Sequence, residues 1–189
     1  MKKELSEMSK EELWELFPIA LVPHTSKWKL YYNEMEILLK DILSKYAIER
    51  ISHIGSTAIS GIWAKDIVDI LVEVTKNTEI ENAAREIEKN GFIRMSTKKN
   101  RISLNFGYTK KGFTEKVFHI HLRYRGDNDE LYFRDYLNEN PKIAKEYEKL
   151  KLKLWKLYEY NRDAYTDSKT EFIRKYTNEA KKLYQNRYY

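Results

Sequence analysis

The chain has 189 residues, with 35 Lys and Arg against 29 Asp and Glu, a formal net charge of +6. It holds no cysteine, which excludes disulfides, thiolate metal sites and a cysteine nucleophile, and no apolar run approaches the roughly 20 residues that a membrane span needs. The charged start MKKELSEMSKEELWELF is no signal peptide, so a cytoplasmic protein with a full core of its own is expected.

Residues 9–17 predict a short helix capped by Ser9, with Leu13, Trp14 and Phe17 on one side. Trp28 to Leu43 predicts a longer one, whose buried stripe Trp28, Tyr31, Met35, Leu38, Leu39 and Ile42 is spaced by threes and fours. Ile48 to Ile54 alternates and predicts a strand. The chain breaks at Gly55-Ser56-Thr57, where a short helix is expected to start, and the apolar run Ile67 to Val74 predicts a central strand. Thr78 to Asn90 predicts a helix stopped by Gly91. Three more strands are expected at Phe92–Met95, Arg101–Tyr108 and Lys116–Tyr124, the last two joined as a hairpin through Lys110–Gly112. Leu131 to Asn138 predicts a short helix. Asn140-Pro141 opens a long one that buries Ile143, Tyr147, Leu150, Leu154 and Leu157. After a break at Ala164–Asp167, a last helix buries Phe172, Ile173, Tyr176, Ala180 and Leu183. The fold class is α+β: a mixed sheet of about five strands, an N-terminal helix and long C-terminal helices.

The positive excess is local. Residues 141–189 hold 13 Lys and Arg against 7 acids, while the first 140 residues balance at 22 of each. Lys142, Lys145, Lys149, Lys153 and Lys156 form one helix stripe away from the apolar stripe, which is the pattern of an ordinary solvated face. A nucleic-acid or protein partner for the basic C-terminal helices is the weaker reading. Lys151 lies off the lysine stripe, beside the apolar stripe, and is a weaker candidate expected to point into a groove.

Two stretches carry chemistry. In His53 to Val74 (HIGSTAISGIWAKDIVDILVEV), Gly55 permits close approach, Ser56 and Thr57 offer hydroxyls, and free N–H groups at a helix start can hold a phosphate. Asp69 sits inside an otherwise apolar strand, and a buried carboxylate is costly unless paired, hydrogen-bonded or metal-bound. Glu73 shares its face but lies about 13 Å along, too far to hold the same ion. In Val117 to Tyr124 (VFHIHLRY), His119, His121 and Arg123 share one strand face. The histidines can ligate a metal, and Arg123 can clamp a phosphate. Lys65, Tyr165 and Lys169 are further, weaker candidates.

Four stretches together resemble the GrpB family: LVPHTSKW, HIGSTAISGIWAKDIVDILV, FHIHL, and FRDYLNENPKIAKEYEKLK followed by AYTDSKTEFI. The resemblance spans most of the chain. It implies a single domain over 1–189, with a nucleotidyltransferase-like core at 1–126 and a helical extension at 127–189. It also implies a nucleotide or phosphorylated small molecule as partner. Gly55, Ser56, Thr57, Arg123, Lys151 and Lys169 would then hold the ligand, and Asp69 and Lys65 would serve catalysis. Asp69, His119 and His121 would hold Mg²⁺ or Mn²⁺. The sequence departs from that pattern at Leu71, which stands where a second metal-binding acid is usual. No acid occupies the His119–Arg123 face, and Asp66 and Ser60 replace two usual prolines. Two functional readings therefore stand open. One is metal-dependent nucleotidyl transfer to an acceptor. The other is a module that binds a nucleotide or phospho-ligand without transferring it.

Overall fold

The computed structural model describes residues 3–188; Met1, Lys2 and Tyr189, the ends of the expected 1–189 unit, lie outside them. Helices α1 (Lys10–Leu16) and α2 (Lys27–Ile42) precede strand β1 (Ile48–Ile54) and strand β2 (Val68–Val74). Helix α3 (Ile80–Lys89) leads to β3 (Ile93–Lys98), β4 (Arg101–Thr109) and β5 (Gly112–Tyr124). Four helices follow: α4 (Asp129–Glu139), α5 (Pro141–Tyr158), α6 (Arg162–Asp167) and α7 (Thr170–Leu183). The strand order is β1-β2-β5-β4-β3, with β2 and β5 parallel and the other pairs antiparallel. The fold is the α+β class expected.

Strand alternation gives this sheet two unlike faces. One carries Ile70, Val72, Ile120, Leu122, Ile102 and Leu104, and it packs under Trp28, Met35 and Leu39 of α2 and Ile87 of α3 to form the main core. The other face is polar in rows set by the register. One row aligns Asp69, His119 and Asn105; the next aligns Leu71, His121 and Ser103; the third aligns Arg50, Glu73, Arg123 and Arg101. The C-terminal helices cover this second face, with Leu131 of α4 seated on Ile54 and Leu71. A face this polar cannot be sealed by apolar packing alone, so the helices leave a cavity over its Asp69 end.

Several expected details shift. The helix at Ser56 is only one 3-10 turn, Ser56–Ala58. The buried stripe of α2 is rotated: Tyr32 is buried and Leu38 is 40% exposed. Tyr32 turns inward because its hydroxyl donates to the Ile51 carbonyl (3.1 Å) and its ring stacks on His53. The expected break at Ala164–Asp167 is the short helix α6, capped by Asn161 accepting from the Ala164 N–H (3.0 Å). Leu157 and Leu183, expected in the core, lie near the ends of their helices and are 60% and 64% exposed.

Candidate functional site

The cavity has a volume of about 670 Å³, within the range of small-molecule sites. Its floor comes from Gly55, Ser56, Thr57, Lys65, Asp69 and His121. Its walls come from Phe133 of α4, Tyr147 and Lys151 of α5, Tyr165 of α6, Lys169 just ahead of α7, and Ile173 of α7.

Gly55 is where strand meets site. Its backbone has φ 71° and ψ −173°, a region essentially reserved for glycine. A Cβ there would lie 2.5 Å from the Asp69 Oδ2 atom. The loop is therefore pressed against the carboxylate. Thr57 is buried, and its hydroxyl meets His53 Nε2 at 2.9 Å, so that hydroxyl holds the loop in place. Burial pushes His53 down to about 4, so its ring is neutral.

Asp69 is held by two imidazoles. His119 Nδ1 lies 3.3 Å and His121 Nε2 3.1 Å from the same Oδ1 atom. Burial pushes the Asp69 carboxyl up, but hydrogen bonds from the two histidines outweigh it and hold the group well below the usual carboxylate range. His119 Nε2 meets the Tyr108 hydroxyl at 2.7 Å, and Arg162 donates to that hydroxyl at 3.3 Å. Asp69 is thus the inner end of a chain running through His119 and Tyr108 to Arg162.

Three lysines, from three separate segments, line the cavity. Lys151 is 2% exposed and donates to the Trp63 carbonyl. Its ammonium lies 5.0 Å from the Tyr147 ring centre. Lys169 lies 4.2 Å and Lys65 5.9 Å from the ring centre of Tyr165. Among the described residues none of the three is ion-paired with a carboxylate, whereas the surface lysines Lys145 and Lys181 are. The tyrosine rings supply the negative faces that carboxylates supply elsewhere. Burial drives Lys65 and Lys151 down to about 7 and Lys169 to about 8, and neighbouring cations add to this in each case.

A pH dependence follows. Between pH 7 and 9 the unfolded chain keeps these lysines protonated, because an ordinary lysine titrates at about 10.4. The folded chain binds fewer protons there, so the stability of the ligand-free protein rises with pH across that window. Denaturant titrations at pH 7 and 9 should show this gain, and Lys169→Met should reduce it while the share of Lys65 and Lys151 remains. A loss of stability over the same interval in the wild type would contradict the lysine assignment.

The other site expectations divide. Gly55, Ser56, Thr57, Lys65, Asp69, His121, Lys151 and Lys169 come together at the cavity. Arg123 does not line it, and its expected role as a phosphate clamp is corrected. Its guanidinium pairs with Glu130 at 2.8 Å and approaches Asp127 at 3.6 Å, which neutralises it in the sheet's third row. Asp66 turns away from Asp69 and accepts from the Trp28 indole N–H at 2.7 Å. Tyr147 and Arg162 were not anticipated. Tyr147 was assigned to the apolar stripe, yet a tyrosine on such a stripe needs a partner for its hydroxyl, which was the available signal.

The three residues expected to hold an ion, Asp69, His119 and His121, do come together. A two-metal centre needs a second acid beside Asp69, and that place is filled by Leu71, sealed under Ile54 and Leu131. His119 and His121 direct nitrogens at the Asp69 oxygen itself, and among the described residues no cluster of three or more His, Asp and Glu is arranged to hold an ion. The donor set does not fit Mg²⁺ or Mn²⁺ in that arrangement, so no step is routed through them.

Residues 18–179 match the family described as GrpB protein. The chain belongs to the GrpB family. A glutamate-rich protein GrpB from Alkalihalophilus pseudofirmus is 35% identical over 171 residues, covering 85% of this chain and 95% of the relative. The UPF0157 protein YqkA of Bacillus subtilis is 30% identical over 181 residues, 93% of this chain but 52% of its own length. The crystal structure of GrpB from Enterococcus faecalis superposes with a TM-score of 0.73 at 33% identity, covering 87% of this chain and 99% of that one. Among the described residues of this GrpB-family chain, no helix is long and apolar enough to cross a membrane.

Proposed function

We propose that this GrpB-family protein binds a nucleotide or another phosphorylated small molecule in the cavity between its polar sheet face and its C-terminal helices. One observation carries the reading: Lys65, Lys151 and Lys169 face a cavity of about 670 Å³ without a carboxylate partner. Burial first, and then repulsion from neighbouring cations, makes these charges costly, and their lowered pKa values record it. An anionic ligand relieves it. The same cavity has an apolar side, formed by Phe133, Ile173 and the rings of Tyr147 and Tyr165, suited to the base of a nucleotide. The binding reading is favoured over two-metal transfer because Leu71 replaces the second acid.

A thermal-shift screen tests it. The four nucleoside triphosphates and coenzyme A precursors are added to wild type, Lys65→Met and Lys169→Met. A ligand at 100 times its Kd adds about 2.7 kcal/mol of stability. The wild type should shift with at least one of them, and both variants should lose most of that shift. A shift that survives both variants would move binding elsewhere, with the exposed lysine stripe of α5 the first place to look. No shift with any ligand would sink the proposal.

A further inference from the structure

Among nucleotide sites, a polyphosphate is commonly neutralised by divalent ions held on carboxylates. This cavity is built the other way round. Lys65, Lys151 and Lys169 face it, and Arg162 stands close enough to depress both Lys65 and Lys169. Among the described residues Arg162 makes no ion pair, and its hydrogen bond goes to the neutral Tyr108 hydroxyl. Two other carboxylates of the lining are already matched: Glu130 by Arg123, and Asp129 by Lys181. That leaves Asp69 as the one lining acid without a lysine or arginine partner, against Lys65, Lys151, Lys169 and Arg174 in the lining and Arg162 beside them.

Asp69 is also poorly placed to recruit an ion. Its Oδ1 atom is shared by His119 and His121, and its Oδ2 atom lies against Gly55. A divalent cation there would compete with the protonation of Lys65 and Lys169, both of which feel the Asp69 charge.

We infer that the lysine cluster takes the place of metal ions, so that the cavity binds a metal-free polyphosphate of three or more negative charges. The inference rests on the proposed phospho-ligand site and adds the ionic form of the ligand. Three lysines from three segments, with Arg162 of α6 beside them, match a chain of phosphates better than a single phosphate. Because Lys65, Lys151 and Lys169 are depressed in the free protein, binding draws protons onto them. Uptake of protons is a signature that simple surface adhesion of phosphate to fully charged lysines lacks.

The test is calorimetric titration of the full chain with inorganic tripolyphosphate and with ATP at pH 8, in EDTA and in excess Mg²⁺, in two buffers of different ionisation enthalpy. Both probes should bind at least as tightly in EDTA as in Mg²⁺, and the buffer comparison should show net proton uptake. Lys169→Met should weaken binding roughly tenfold or more, as truncating one partner of a buried charge pair does. Lys153→Met, on the exposed stripe of α5, should leave it unchanged. The metal comparison uses the wild type, so it stands even where a variant folds poorly. Binding that requires Mg²⁺ and is lost in Asp69→Asn would overturn the metal-free inference while leaving the phospho-ligand site intact. Binding of ATP without any binding of tripolyphosphate would overturn it too. Failure of both probes under both conditions would overturn the site itself.

Discussion

Replacing Gly55 with alanine should destabilise the protein by about 2–6 kcal/mol, the sum of a glycine-only backbone conformation and an overpacked contact at about 1–3 kcal/mol each. The backbone part arises from φ 71° and ψ −173°. The contact part arises because the new methyl would sit 2.5 Å from Asp69 Oδ2 and 3.0 Å from Asp69 Cβ. Relief requires Asp69 to move, which breaks its contacts with His119 and His121 and spoils the cavity floor. Stability and ligand affinity should therefore fall together. Gly61→Ala is the control, since Gly61 also has φ +71° but open space where its Cβ would go. It should show backbone strain alone and keep ligand binding. Urea denaturation of the two variants checks this. Equal losses in both would show that the collision with Asp69 contributes nothing.

Glu73→Ala should cost about 3–5 kcal/mol, the range for breaking a buried ion pair by removing one partner. Glu73 is fully buried, yet it sits on the same strand face as Asp69. Its Oε1 atom accepts from the Gly126 N–H (3.0 Å) and the Asn128 side chain (2.9 Å). Its Oε2 atom lies 3.2 Å from Arg50 Nη1 without being aligned for a hydrogen bond. Removing the carboxylate strands the arginine, the amide and the asparagine together, and it loosens the turn that leads from β5 into α4. Ligand affinity should survive in whatever fraction remains folded, because Glu73 stands about 13 Å along the strand from Asp69. Denaturant unfolding of Glu73→Ala, compared with Glu73→Gln, measures the effect. A loss under about 1 kcal/mol would show that the pair is not a structural tie.

These two acids mark what a sequence can and cannot reveal. Alternation along Val68–Val74 put Asp69 and Glu73 on one face, and the structure keeps them there. The jobs they do depend on neighbours from other strands: two histidines beside Asp69, and arginines in register on both sides of Glu73. The strands were legible because period-two alternation is short-range. Strand β1 begins and ends where the alternation does. Helix α6 was missed because six residues are too few to display a period. Strand β5 starts at Gly112, ahead of the expected Lys116, because the hairpin extends past a bulge at Gly107.

The site was legible only in its local part. Gly55, Ser56 and Asp69 lie within one short stretch, and the strand period was enough to associate them. The lysine cluster was named only through the family resemblance, because Lys65, Lys151 and Lys169 come from segments that meet only when α5, α6 and α7 fold back over the sheet. By residue type each reads as a surface lysine, as Lys145 and Lys149 are. What distinguishes Lys151 is its position off the lysine stripe. What distinguishes Lys169 is its approach to the Tyr165 ring, a contact set by how α6 turns into α7. Arg123 erred in the opposite direction: a basic residue beside two histidines suggested a ligand clamp, but Glu130 from the next helix claims it.

The most direct measurement is a crystal structure of the full chain with ATP in EDTA. The account predicts density in the cavity, with the phosphates within hydrogen-bond distance of Lys65, Lys151 and Lys169 and the base against the Tyr147 or Tyr165 ring. An empty cavity at saturating ATP, or ATP seated instead on the exposed lysines of α5, would contradict it.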